Sequence, residues 1–169
     1  KLNIHHGQIR CWICHKGAMK KDKKLNGYFK LEKQKGKIDI RGLEKFKNRV
    51  LKNKMKFKSV IQNLKKRNLK IVGYGAPAKA STLISYLNLT TKDISYIVDI
   101  NPLKQNCFVP GNRIPILSTE KIYIDKPNYL INFAWNFIDE IVKQNKIFLK
   151  NGGKIINPIP KFKIINKKY

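Results

Sequence analysis

The sequence has few cysteines, no long apolar run and no recognisable leader, and each shortage excludes a class of protein. A membrane-spanning helix needs about 18 or more consecutive apolar residues, and no such run is present, so we expect no membrane partner. The three cysteines are an odd number and follow no secretory signal, which favours free thiols in a reducing, cytoplasmic compartment over a disulfide framework. Because the sequence begins without Met, we expect a fragment of a longer protein.

Acidic residues are also scarce, and this leaves two interpretations of the charge. There are 10 Asp+Glu against 37 Lys+Arg, for a net charge of +27. A field of that size attracts polyanions, so a nucleic-acid-binding protein is one interpretation. The other is coding bias, because the excess is nearly all Lys, Ile and Asn are abundant, and A/T-rich codons encode all three. Arg, the better phosphate ligand, is rare, so we favour coding bias and do not expect nucleic acid as a partner.

Apolar residues make up 42% of the chain, enough to bury the core of one ordinary domain with a short appendage. Residues 1–16 show the alternation of a strand around Ile9, Cys11 and Ile13. Residues 17–42 are rich in Lys, Gly and Asp with little pattern, and we interpret them as a linker or solvated loop. The first 42 residues therefore carry little of the expected core.

A helical pattern follows over residues 43–67. Its apolar residues recur at steps of three, four or seven and would share one buried face: Leu43, Phe46, Val50, Phe57, Ile61 and Leu64. Asn68 is expected to end the helix. We interpret this segment as a long connecting helix.

Residues 68–169 alternate between strand and helix patterns. Predicted strands lie at residues 69–72, 94–98, 114–117, 129–133 and 154–157, and predicted helices at residues 77–87 and 138–150. Such an order is typical of an α/β domain with a small, mainly parallel, Rossmann-like sheet and flanking helices.

The strongest local signal is a strand that runs into a Gly-x-Gly turn and then a helix. Its candidate ligand-binding residues are Gly73, Tyr74, Gly75, Ala76, Pro77 and Lys79. Glycines let a ligand approach the backbone, and the start of the helix presents N–H groups and a positive dipole end to a phosphate. Asp99 ends the next predicted strand, where a Rossmann domain places the acid that binds a ribose hydroxyl.

Two features keep this interpretation open. The third glycine of the dinucleotide fingerprint is missing, since Lys79 or Ala80 stands near its place, so standard NAD use is not expected. A tight strand-to-helix turn without any ligand is the alternative. Trp135 and Asn136 follow the predicted strand 129–133, where ligands bind in open sheets, but Asn136 could equally cap the next helix.

The segment Cys11-Trp12-Ile13-Cys14-His15 carries the C-x-x-C-H pattern of haem attachment, or half a zinc site with His5 and His6. Strand alternation would point Cys11 and Cys14 to opposite faces, whereas a metal needs them to converge. No second cysteine pair follows. We therefore expect two thiols on a strand and no metal site.

At several blocks the sequence resembles the C-terminal domain of the sugar C-methyltransferases of deoxysugar and antibiotic-sugar biosynthesis. The blocks are Gly73–Leu83, Tyr96–Gln105, Val109–Gly111 with Ile114–Ile116, Ala134–Asn136 with Asp139–Ile141, and Gly152–Lys154 with Pro158–Pro160. Their order and spacing make the match specific over about residues 43–160. Ile4–Arg10 resembles the segment that closes the family's central methyltransferase domain, with a shift at its second glycine.

The resemblance implies a division of labour. Family members place S-adenosylmethionine and the catalytic bases in other domains, so we carry no catalytic residue over and expect this chain to bind no cofactor and to be inactive alone. Its expected partners are a nucleotide-linked (dTDP) keto-deoxysugar and a methyltransferase domain, in cis or as a separate chain. The substrate-lining positions carried over are Gly73, Gly75, Pro77, Lys79, Asp99, Asn101 and Asn136, with the N–H groups after Gly75 and Lys79 contacting the pyrophosphate. A nucleotide- or partner-binding module without catalysis is the alternative.

Overall fold

The structure is a computed structural model that describes residues 10–35 and 39–166. The chain divides into two compact units, Lys1–Lys52 and Asn53–Tyr169. The second unit begins inside the long helix, so residues 53–66 belong with the domain that the sequence places from residue 68 onward. Each unit is described by itself.

The strand expected in residues 1–16 is wrong where it can be assessed, because residues 10–16 contain no strand, and residues 1–9 lie outside the described part. Helix α1, Lys24–Gln34, occupies the stretch expected as a loop. Asp22 Oδ1 accepts the Lys24 N–H at 2.9 Å near the start of α1. Lys, Leu, Glu and Gln favour helix, but no residue of α1 is buried, so no burial pattern revealed it.

The predicted long helix is present as α2, Ile40–Lys66. Asn68 takes a left-handed conformation (φ 53°) and the Leu69 N–H bonds to the Leu64 carbonyl, which ends the helix as expected. The buried face is shorter than predicted. Phe57, Ile61 and Leu64 are buried, as predicted.

Leu43 and Phe46, in contrast, are 59% and 57% exposed. Periodicity shows which face of a helix a partner would cover, but it does not show that a partner surface exists within the chain.

The second unit contains one six-stranded sheet. Its strands are β1 (Ile71–Tyr74), β2 (Ile97–Val98), β3 (Ile116–Leu117), β4 (Tyr129–Asn132), β5 (Lys154–Asn157) and β6 (Lys163–Ile165). They lie in the order β3-β2-β1-β4-β5-β6, parallel except for β6, which pairs antiparallel with β5. This is the strand order of a Rossmann fold, so the predicted fold class is confirmed. The sequence did not predict β6.

Helices cover both faces of the sheet. Residues of β1 alternate between the faces, with Ile71 on the side of α2 and of helix α3 (Ala78–Leu87). Val72 and Tyr74 lie on the other side, against three short helices, α4 (Lys121–Asp125), α5 (Ile138–Gln144) and α6 (Lys146–Lys150). Burial on both sides explains why the strands are continuous apolar runs.

Three local details differ from the sequence predictions. Pro77 is the residue before α3 rather than its first helical residue. The helix predicted over residues 138–150 is interrupted at Asn145, whose buried amide donates to the Ile141 carbonyl at 2.8 Å. Helix α4 was not predicted, because five residues are too few to show a helical period.

Candidate functional site

The candidate site lies at the carboxyl edge of the sheet, between β1 and β4. The strand order reverses there, since β1 pairs with β2 on one side and β4 on the other. Tyr74 and Asn132 are partners in the register, so the loops that follow the two strands leave the sheet side by side. We call residues 75–77 the glycine turn and residues 133–137 the tryptophan turn. In open α/β sheets, ligands bind at such a point.

Glycine is needed at two positions of this edge. Gly75 has φ 81°, and a Cβ there would lie 2.8 Å from Ala134 Cβ, so the glycine turn touches the tryptophan turn directly. A Cβ on Gly73 would lie 2.6 Å from Ile97 Cγ1 and 2.8 Å from the Phe133 ring. Both glycines thus serve close packing between strands and turns, and Gly75 also uses the backbone freedom of glycine.

Asp99 lies beside the glycine turn, one residue after β2. Its Oδ2 accepts the Ala76 N–H at 2.6 Å and its Oδ1 accepts the Asn101 N–H at 2.8 Å. The residue is only 6% exposed. The expectation that the N–H groups after Gly75 and Lys79 are available to a pyrophosphate therefore needs correction. Ala76 already donates its N–H to a carboxylate, and Ala80 donates its N–H to the Pro77 carbonyl at 2.8 Å.

The sequence analysis missed Lys104 and Gln105 as parts of this arrangement. Lys104 Nζ donates to the Ala76 carbonyl at 2.9 Å and lies 3.9 Å from Asp99 Oδ2. Gln105 Nε2 donates to the Asp99 carbonyl at 3.0 Å. Lys104 is the last residue of a 3₁₀ turn, Pro102–Lys104, and Gln105 follows it, so that this turn returns the chain to the glycine turn. Nothing in the sequence showed the direction of this turn.

Lys79, in the first turn of α3, contacts Trp135 of the tryptophan turn. Lys79 Nζ lies 4.1 Å from the centroid of the Trp135 ring, within the range of a cation–π contact. Burial lowers the pKa of the Lys79 ammonium group. Trp135 and Asn136 belong to a 3₁₀ turn, Trp135–Phe137, and both are half-buried. The structure thus brings together two of the residues that the sequence singled out independently.

Tyr74 and Asn101 are placed differently from this pair. The Tyr74 side chain is buried on the α5 side of the sheet, where its hydroxyl donates to Gln144 Oε1 at 3.1 Å, and burial raises its pKa. Asn101 Oδ1 accepts the Leu103 N–H at 3.0 Å and so caps the following 3₁₀ turn. In this structure both side chains make internal contacts.

A pair of buried amides supports the tryptophan turn, and the sequence analysis missed its role. Asn132 Oδ1 accepts the Ala134 N–H at 2.9 Å, and Asn132 Nδ2 donates to Asn157 Oδ1 at 2.9 Å. Asn157 Nδ2 in turn donates to the Ile159 carbonyl at 2.8 Å. Asparagine at the end of an apolar strand was the available signal, since a fully buried amide needs partners.

Residues 10–35 and 39–166 contain no group of three His, Cys, Asp or Glu side chains arranged to hold a metal ion. Cys11 and Cys14 are exposed, and the strand on which they were placed is absent. Within the same residues, no helix has the length and apolar character needed to cross a membrane.

Comparison with known proteins assigns the chain to a family. The model of the C-methyltransferase C-terminal domain matches residues 3–160. The C-methyltransferase NovU of Streptomyces niveus is 42% identical over 96 residues, which cover 57% of this chain and 23% of that protein. The match with NovU therefore spans about a quarter of that protein. Since the family model matches most of the sequence, the chain belongs to the C-methyltransferase C-terminal domain family.

Proposed function

We propose that this chain is the C-terminal, sugar-nucleotide-binding part of a cytoplasmic, S-adenosylmethionine-dependent enzyme that methylates a carbon of a dTDP-linked keto-deoxysugar. Family membership and a relative named as a C-methyltransferase support the methyl-transfer class. The partner is a methyltransferase domain, in cis or as a separate chain. The nucleotide, the sugar and the partner are the parts of the proposal that require experiment.

One observation carries the proposal for the site, namely the contact of Lys79 with Trp135 at the reversal point of the sheet. An aromatic ring offers a face to a sugar or base, and an ammonium group offers a charge to a phosphate. Lys79 comes from the helix that follows β1 and Trp135 from the turn that follows β4, so the fold itself assembles the pair. Asn136 follows Trp135 in the sequence and lies on the same 3₁₀ turn.

Helix α3 supports a diphosphate at this place. The Ala78 and Lys79 N–H groups have no acceptor inside the helix, whereas the Ala80 N–H donates to the Pro77 carbonyl at 2.8 Å. The helix dipole presents positive charge at Ala78. Lys79 lies in this first turn, so its ammonium group adds a full charge to the dipole. A diphosphate at the start of α3 would face Lys79 on the side where the tryptophan turn approaches.

The methyl donor fits this chain less well. A Rossmann-type domain that binds a nucleoside uses the acid after β2 to accept hydrogen bonds from ribose hydroxyls. Here both oxygens of Asp99 accept backbone N–H groups. We therefore assign S-adenosylmethionine, which supplies the methyl group, to the methyltransferase domain, and we assign no proton transfer to residues of this chain. Its task is to hold and orient the nucleotide-linked sugar.

Isothermal titration calorimetry of dTDP with the 169-residue chain tests the proposal. We expect saturable binding and a loss of about tenfold in affinity for Lys79→Ala, equivalent to about 1.4 kcal/mol. Lys150→Ala is the matched control, because Lys150 is exposed at the end of α6, which precedes β5 and lies toward the opposite edge of the sheet. Absence of binding, or equal losses in the two variants, would contradict the proposal.

A further inference from the structure

Side chains of the same chain occupy the backbone polar groups of Ala76 in the glycine turn. The Ala76 N–H is bound by Asp99 Oδ2 and the Ala76 carbonyl by Lys104 Nζ, at 2.6 and 2.9 Å. Both backbone polar groups of Ala76 are thus used internally. Gln105 Nε2 holds the Asp99 carbonyl at 3.0 Å, and the Asn101 N–H holds the other carboxylate oxygen.

This arrangement replaces two interactions of a dinucleotide-binding domain with one. In such a domain the N–H groups of the glycine turn face a pyrophosphate, and the acid after β2 binds ribose. Here the Asp99 carboxylate accepts the N–H that would otherwise face the pyrophosphate. A phosphate on the Ala76 N–H would have to displace a carboxylate of the same sign, which already has a short hydrogen bond and a lysine 3.9 Å away.

We propose that Asp99 is a built-in occupant of the anion position of the glycine turn, and that Lys104 is a positioning residue that fixes this state. The turn is therefore not available to the pyrophosphate of a dinucleotide. Where the chain binds a nucleotide diphosphate, which rests on the function proposed above, the phosphates are directed past Ala76 to the start of α3 and to Lys79. Asp99 thereby determines which kind of nucleotide the edge accepts.

Amide hydrogen exchange of the ligand-free chain is the first test, and it requires no variant. If Asp99 occupies the turn, the Ala76 amide is protected by about 100-fold or more without any nucleotide. It should lose that protection in Asp99→Ala. Exchange of the Ala76 amide near the rate of an unstructured peptide in the wild-type chain would overturn the proposal.

Chemical rescue with formate is the second test, because a purely structural role of Asp99 would not predict it. Asp99→Ala should lower Tm by several degrees, and formate should recover part of that loss by entering the vacated position. Asp99→Asn is the control. Its side chain has nearly the same size as that of Asp99 and fills the position that formate would enter, so formate has no vacated space there.

Formate should therefore raise the Tm of Asp99→Ala but of neither Asp99→Asn nor the wild-type chain. Equal effects on the two variants, or no effect on either, would contradict an anion position at the turn. Neither test uses a nucleotide. If the chain fails to bind dTDP, the results of the exchange and rescue experiments therefore still decide whether Asp99 occupies the anion position. If Asp99→Ala does not fold, the exchange measurement on the wild-type chain decides alone.

Discussion

The glycine turn and the tryptophan turn at the carboxyl edge of the sheet are both held by a side chain that accepts a backbone N–H, but the two accepting groups differ chemically. Each contains an alanine whose N–H points to a side-chain oxygen, Ala76 to Asp99 and Ala134 to Asn132. The glycine turn is held by a carboxylate and a half-exposed lysine. The tryptophan turn is held by an amide that is completely buried and bonded to a second buried amide.

This difference shows which kind of polar group can be buried at the carboxyl edge of the sheet and which needs a nearby cation. A neutral amide pair can be sealed in the core, because its desolvation is offset by a few hydrogen bonds. A carboxylate needs a cation or several donors, and it stays near the surface where Lys104 reaches it. We therefore expect the tryptophan turn to depend on buried hydrogen bonds and the glycine turn on electrostatics as well.

The largest effect is expected in the buried pair. Asn132→Ala leaves the Ala134 N–H and the Asn157 amide without their partner, and we expect a loss of about 3 kcal/mol in the free energy of unfolding. Asn101→Ala is the control, because that exposed asparagine only caps a 3₁₀ turn and should cost about 1 kcal/mol or less. Urea denaturation measures both, and equal losses would remove the distinction between the turns.

The contact between the turns can be measured directly with a double-mutant cycle. Gly75→Ala places a methyl group 2.8 Å from Ala134 Cβ and adds the strain of φ 81°, so we expect a loss of about 2–3 kcal/mol. Ala134→Gly removes the clash but not the strain. The double variant should therefore be about 1 kcal/mol more stable than the sum of the single effects predicts. If the losses in unfolding free energy were additive, the side chains of the two turns would not be in steric contact.

Electrostatic support of the glycine turn predicts a smaller, salt-dependent effect. Lys104→Met keeps the apolar stem but removes the bond to the Ala76 carbonyl and the charge beside Asp99. We expect a loss of about 1 kcal/mol, since the lysine is half-exposed. The loss should shrink as salt is added, whereas that of Asn132→Ala should not. A salt-independent loss in denaturation experiments would argue for packing alone.

The smallest effect concerns the contact between Lys79 and Trp135. Because burial lowers the pKa of Lys79, the unfolded chain binds more protons in the alkaline window between the folded-state pKa and the ordinary lysine pKa of 10.5. Stability from this group therefore rises with pH through that window. Trp135→Leu should reduce the burial of the ammonium group, raise its pKa and flatten the rise, at a cost of about 0.5–1 kcal/mol. An NMR titration measures the pKa of Lys79 in both proteins. An equal pKa in the wild-type chain and in Trp135→Leu would show that Trp135 does not contribute to the shift.

Much of the fold follows from local pattern. The continuous apolar runs and helical periods located β1, β4, β5, α3 and the C-terminal end of α2, and the Gly-x-Gly turn fell at the predicted place. Elements without a periodic signal were missed. Helix α4 is too short for a period and α1 buries nothing. The antiparallel β6 follows two prolines that suggested an end to the sheet.

The site was only partly predictable for a related reason. Residues adjacent in sequence to a turn, such as Lys79 and Trp135, could be proposed from strand ends alone. Lys104 could not, because its contact with Ala76 spans 28 positions and depends on the path of the 3₁₀ turn. The acid at position 99 was located correctly, but its hydrogen-bond partners depend on side-chain direction, which sequence spacing does not specify.

The central claim is that a nucleotide diphosphate binds at the carboxyl edge, beside Lys79 and Trp135. An amide NMR titration of the 169-residue chain with dTDP tests it most directly. We predict that the largest shifts occur at Ala78, Lys79, Trp135 and Asn136, with little change at Asn128 and Gly152 on the opposite edge. Shifts concentrated on that opposite edge, or no shifts at any concentration, would contradict the account.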